Sequence, residues 1–122
     1  MKTYIDHIVI SVKDLKKSIK FYQVFLGKPK VSTWDASWQI GEVKLFLTYP
    51  YKKSIRAFDK HNIGLNHIAF GARSLTELKR FERVLNKAKI KHSGIQIDKY
   101  SKKEFIWFDD PDIIRLEFYL RN

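Results

Sequence analysis

The sequence predicts an α+β fold built from two βαβββ modules, and three observations carry that expectation. Asp6-His7-Ile8-Val9-Ile10 is echoed by Asn66-His67-Ile68-Ala69-Phe70, an offset of 60 residues that also pairs Leu15 with Leu75, Lys20 with Arg80, Phe21 with Phe81 and Val24 with Val84. Within each copy the hydrophobic period changes from two to about three and a half, the mark of a strand followed by an amphipathic helix. Each helix is then followed by short apolar segments broken by polar turns. A module of this kind covers one sheet face with its helix and leaves the other bare, so the two are expected to pair into a curved mixed sheet around a cleft.

The elements follow in order. Residues 4 to 12 alternate as a strand does, and residues 14 to 26 place Leu15, Ile19, Tyr22 and Leu26 on one helical stripe. Asp14 is a natural N-cap and Gly27 a natural stop, while Ser74 with Glu77 three residues later forms a capping-box pattern for the second helix. Strands are expected at 29 to 34, 37 to 41 and 43 to 49, and again at 94 to 98, 104 to 108 and 114 to 120. The stretch Pro50 to Gly64 is rich in lysine and poor in periodic apolar positions, which makes it a linker. The organisation is therefore one domain over 1–122, with a module at 1–49, a linker at 50–64 and a module at 65–122.

Composition narrows the chemistry. A hydrophobic content of 44% with 15% aromatics suits a packed core, and the absence of cysteine excludes disulfides, thiolate nucleophiles and Cys-ligated metals. No segment has the roughly 20 apolar residues of a membrane span, and Met1 to Leu15 lacks the apolar block of a secretion signal, so a cytoplasmic protein is the expectation. The net charge of +11 comes from scattered residues, with Lys13, Lys16, Lys17 and Lys20 on one helix, Lys52 and Lys53 in the linker, and Lys99, Lys102 and Lys103 in a loop. That scatter favours a solvated surface and disfavours a nucleic-acid groove.

Sorting residues by strand face yields a candidate site. Ile8, Ile10 and Val12 turn towards the first helix, which sends His7 to the other face; Ile68, Phe70 and Ala72 do the same for His67. In the last strand Ile114, Leu116, Phe118 and Leu120 form an apolar face, and Arg115, Glu117, Tyr119 and Arg121 its reverse. Two imidazoles and a carboxylate make a facial set for one divalent cation with positions left open, and manganese, iron, nickel and zinc all suit it. Each residue alone has a plainer role: a strand histidine is often a hydrogen-bonded core or surface residue, and Glu117 can pair with Arg115. Arg115 and Tyr119 are the candidate catalytic groups, and Trp34, Trp38, Phe46 and Trp107 the candidate substrate-binding ones, although aromatic strand residues are often core. His61 and His92 are expected to be exposed spectators.

The sequence resembles the vicinal oxygen chelate superfamily, which groups glyoxalase I, bleomycin-resistance proteins, fosfomycin-resistance thiol transferases and extradiol dioxygenases. The resemblance covers nearly the whole chain and rests on Asp6-His7-Ile8, Asp14-Leu15, Ser18 to Tyr22, Asn66-His67-Ile68-Ala69-Phe70, and Phe108 to Asp112 leading to Arg115-Leu116-Glu117. It implies metal ligands on the first, fourth, fifth and eighth strands, glyoxalase I having a glutamate on the fourth, where this chain carries Phe46. A set without that ligand is similar to the fosfomycin-resistance and dioxygenase groups. Ile113-Ile114 replace the usual Gly-His or Gly-Tyr after the DPD turn, Val9 stands where fosfomycin enzymes present a hydroxyl, and no basic extension follows Asn122. These departures leave the reaction open among the superfamily's members. The resemblance also implies a homodimer in which modules pair across chains.

The expected function is a divalent-metal-dependent enzyme acting on a small oxygenated substrate, anionic or neutral. The alternatives are a metal-free drug-binding protein like the bleomycin-resistance proteins, and an anionic-partner or nucleic-acid module whose affinity would fall steeply with salt.

Overall fold

The computed structural model describes residues 1–53 and 56–121; Ser54 and Ile55, within the expected linker, and Asn122, at the end of the second module, lie outside the described residues. The chain divides into two compact units, Met1–Ala57 and Phe58–Asn122. The first carries β1 (His7–Ser11), α1 (Leu15–Leu26), β2 (Lys30–Val31), β3 (Asp35–Ile40) and β4 (Val43–Thr48). The second carries β5 (Ile68–Ala72), α2 (Leu75–Lys87), β6 (Gln96–Ile97), β7 (Glu104–Asp109) and β8 (Arg115–Leu120). The sheet orders are β1-β4-β3-β2 and β5-β8-β7-β6, so the duplication in sequence is a duplication of topology. In each sheet the first strand lies parallel to the last, and the remaining pairs are antiparallel. The two four-stranded mixed sheets with their helices make this an α+β fold.

Alternation along the strands decides which face each helix covers. Ile10, Val12, Ala36, Trp38, Leu45 and Leu47 are buried with Leu15 and Tyr22 of α1, and Ala72, Ile106, Phe108, Leu116 and Phe118 with Leu78 and Leu85 of α2. Burying such side chains stabilises each unit by about 1.5–3 kcal/mol apiece. The helix ends behave as their residues dictate: Asp14 Oδ1 accepts from Lys17 N at 3.1 Å, Ser74 Oγ accepts from Glu77 N at 3.1 Å, and Gly27, at φ 80°, closes α1 by donating to Gln23 O. One detail of the expected α1 stripe shifts. Ser18 is buried beside Leu15 and Tyr22, while Ile19 and Leu26 are only half-buried.

The second and sixth strands are much shorter than expected because turns intrude on them. Ser32 Oγ accepts from Trp34 N and Asp35 N, bending the chain directly before β3. Asp98 Oδ1 likewise accepts from Tyr100 N at 2.8 Å and Ser101 N at 3.3 Å, ending β6 at Ile97.

The turn into β8 is the most constrained. The buried Asp110 accepts from Asp112 N and Ile114 N, both at 2.8 Å, and this closure forces Ile113 to φ 61°. A β-branched residue in the left-handed region is costly, by roughly 1–2 kcal/mol. Ile113 is exposed and draws no compensating burial. Ile113→Gly should therefore raise stability by about 1 kcal/mol in urea unfolding, less the greater backbone entropy that glycine loses on folding; a loss of stability would show that the strain is offset elsewhere.

Candidate metal and substrate site

His67 immediately precedes β5, on the face that carries Ala69, and the register pairs Ala69 with Glu117 on β8. Neighbouring strands therefore bring His67 and Glu117 together: Nε2 lies 3.5 Å from Oε1. The glutamate side chain is only 14% exposed and the imidazole 39%. Asn66 Oδ1 accepts the proton of His67 Nδ1 at 2.7 Å, which in the neutral imidazole leaves the lone pair on Nε2 facing the carboxylate. Such a tether is the usual companion of a metal-binding imidazole.

The first unit repeats the device. His7 Nδ1 lies 2.7 Å from Asp6 Oδ2, so its Nε2 is likewise the uncommitted nitrogen. Here the register pairs His7 with Lys44 and Val9 with Phe46, so Phe46 holds the position that Glu117 holds in the second unit. The Phe46 ring meets His7 edge-on at 5.9 Å, and the two help line an open hollow of about 560 Å³ with Asp6, Gln39 and Glu42. Among the described residues no group of three or more His, Asp or Glu forms a metal cluster. The donor pair in the second unit nevertheless suits a divalent cation, because two ligands about 2.1 Å from one ion stand roughly 3.0–3.4 Å apart.

The remaining candidates separate. Trp107 is cross-strand from Glu117 on the open face, and the Arg115 guanidinium lies over its ring at 4.0 Å. Arg115 Nε donates to Asp109 Oδ1 at 2.7 Å. The Tyr119 hydroxyl donates to Asp98 Oδ2 at 3.0 Å and also meets Ser101 Oγ, which fastens the loop after β6 to β8. Trp34 is exposed in the turn before β3. Trp38 is not on the open face: it is buried on the helix side, its indole N–H donating to Gly27 O at 2.7 Å beside Tyr22. The expectation that Trp38 touches substrate is corrected accordingly, since its strand parity is that of Leu45 and not of Phe46.

His61 is exposed as expected, but His92 is no spectator. It is half-buried, accepts from Gly94 N at Nδ1 and pairs through Nε2 with Asn86 Oδ1 at 2.6 Å, tying the end of α2 to the segment before β6. Strand parity gave no sign of Asp98 or Ser101, which act through a loop. Asp6 and Asn66 were visible in the repeat, each directly before its histidine.

Burial chiefly holds the Glu117 carboxyl above its ordinary value of 4.5; His67 and Arg115 oppose the rise and Asp98 adds to it. Asp98 is shifted the other way, mainly by the Tyr100 N–H. The folded chain therefore takes up the Glu117 proton more readily than the unfolded chain. This contribution to stability is complete below the unfolded value and is lost as pH rises through the raised folded value. Urea midpoints measured without added metal between about pH 4 and about pH 7 should fall more for wild type than for Glu117→Gln. The opposite ordering would contradict the assigned shift.

A family model described as the Glyoxalase/Bleomycin resistance protein/Dioxygenase superfamily matches residues 4–118. Metallothiol transferase FosB of Lysinibacillus sphaericus is 30% identical over 115 residues, covering 94% of this chain and 80% of that protein. Among solved structures, a glyoxylase/bleomycin resistance protein/dioxygenase domain from Frankia sp. EAN1pec superposes with a TM-score of 0.81 at 25% identity, covering 100% of this chain and 94% of that one. The fosfomycin resistance protein FosX from Listeria monocytogenes gives a TM-score of 0.74 at 19% identity, covering 100% and 96%. No helix among the described residues is long and apolar enough to cross a membrane.

Proposed function

The chain belongs to the glyoxalase/bleomycin resistance protein/dioxygenase superfamily, and from that premise we propose that it is a divalent-metal-dependent enzyme acting on a small oxygenated substrate. His7, His67 and Glu117 are the proposed ligands of one cation, which is manganese, iron, nickel or zinc. The observation that carries the proposal is the 3.5 Å approach of His67 Nε2 to a carboxylate only 14% exposed. A carboxylate so placed is costly to keep charged unless a cation meets it. His7 joins the set because Asp6 fixes its ring as Asn66 fixes that of His67.

Bound there, the cation would supply Lewis-acid polarisation of a substrate oxygen. The protein's own part is orientation and exclusion of water. Asp6 and Asn66 hold the two rings in the tautomer that offers Nε2. Phe46 and Trp107 supply apolar walls beside the donors. Tyr119, with its hydroxyl already committed to Asp98, is a positioning residue that fixes the loop 98–103. Trp34, exposed and in a turn, contributes only where a substrate extends beyond the strands.

Phe46 in place of a fourth-strand carboxylate favours a reaction other than that of glyoxalase I, and the likeness to a metallothiol transferase favours group transfer. We propose a homodimer, as the family resemblance implies, and a cytoplasmic location.

Calorimetric titration of metal-stripped protein with Mn²⁺, Ni²⁺ and Zn²⁺ should give one ion per chain. His67→Ala should weaken binding by at least about 100-fold and Asn66→Ala by about 10-fold or more, in line with lost ligands and lost tethers. Absence of binding, or equal binding by His67→Ala, would refute the proposal.

A further inference from the structure

We infer that Arg115 selects for a substrate bearing an oxyanion, a carboxylate or a phosphonate, which it grips with the terminal edge of its guanidinium. The inference deepens the proposed function by naming the class of molecule that the open face of β8 receives, and it rests on that reading for the site's being a substrate site.

Four observations converge on Arg115. Its side chain is only 18% exposed, so the guanidinium is a cation largely withdrawn from water. It is held from two directions: the Trp107 ring centroid lies 4.0 Å from its central carbon, and Nε donates to Asp109 Oδ1 at 2.7 Å. That clamp uses one of five N–H donors, and among the described residues the guanidinium makes no other hydrogen bond. The four N–H groups of its terminal edge form a rigid fork that matches two oxygens of one anion. A guanidinium fixed in plane by an aromatic face also loses little freedom when it binds, so it favours a ligand more than a mobile lysine does.

Placement aims the fork at the right neighbourhood. Arg115 stands two residues before Glu117 on the same strand face, and Trp107, on which it stacks, is the direct cross-strand neighbour of Glu117. An oxyanion on Arg115 would therefore lie beside the His67–Glu117 pair, which fits a small molecule with an anionic group next to its reacting oxygens. The net charge of +11 would draw such molecules in. The repeat supplies a contrast: the first unit places Lys44 at the equivalent position, with its ammonium 5.8 Å from the Phe46 centroid and no fork to offer.

The rival account is that Arg115 and Asp109, directly opposite on β8 and β7, merely tie the two strands. Titrating metal-stripped protein with methylphosphonate, acetate and neutral acetamide, and following the Trp107 indole and Arg115 Nε–H resonances by NMR, separates the two. Saturable shifts are expected with one or both anions and not with acetamide, and which anion binds more tightly identifies the group. Arg115→Lys, which keeps the charge but not the fork, should weaken anion binding by about 10-fold or more, and Arg115→Gln should abolish it. Asp109→Asn should retain it. Shifts unchanged in Arg115→Lys, shifts equal for acetamide, or no shifts in wild type would overturn the inference. Cation binding is read separately by calorimetry on the same samples, so a protein that binds anions but no metal sinks the metal reading alone, and the converse sinks this one alone.

Discussion

A carboxylate drawn partly out of water on the open face of a sheet is the constraint around which this molecule is arranged. Glu117 sits in mid-strand with the cross-strand neighbours Ala69 and Trp107, and among the described residues its carboxylate accepts no hydrogen bond. The His67 imidazole approaches it at 3.5 Å, and in the neutral ring the nearer nitrogen is the one that the Asn66 tether leaves without a proton. Two acceptors facing each other at this distance are poorly satisfied by themselves. A shared proton or a shared cation resolves the contact, and burial of the carboxyl tilts the bare protein towards the proton.

The duplication shows how one scaffold is specialised at positions on its open face. Both units use the same strand order, the same parallel pairing of first and last strands, and the same tethered histidine at the start. They differ where one carries Glu117 and the other Phe46. Replacing a carboxylate by a phenyl ring changes a donor into an apolar wall while leaving packing on the helix side untouched, because alternation puts that position on the opposite face from Leu45 and Leu47. Evolution of function in such a fold can therefore proceed on the open face without disturbing the core.

Much of this was legible from residues alone, for reasons that can be named. The helix starts were visible because Asp14 and Ser74 accept from backbone N–H groups three residues on, a local interaction that needs no tertiary context. The faces of β1, β5 and β8 were visible because alternation is local too, and it placed His7, His67 and Glu117 away from the helices. Trp38 was misjudged because a tryptophan fits either face, and only the register with Leu45 settles which. The shortness of β2 and β6, the clasp made by His92, and the fastening of Tyr119 to Asp98 all depend on turns whose side-chain bonds no periodicity reveals. That Ile113 departs from the family's glycine is plain in the sequence, but its cost lies in the backbone angle, which the sequence does not give.

In the metal site proposed above, His7 and His67 offer their Nε2 atoms to one ion shared with Glu117. Nitrogen NMR of the histidine rings during addition of Zn²⁺ to metal-stripped protein tests it most directly. The Nε2 signals of both residues should move together and be complete at one equivalent per chain, while both Nδ1 atoms stay protonated. Nε2 signals that do not respond, or that respond at separate equivalents, would contradict it.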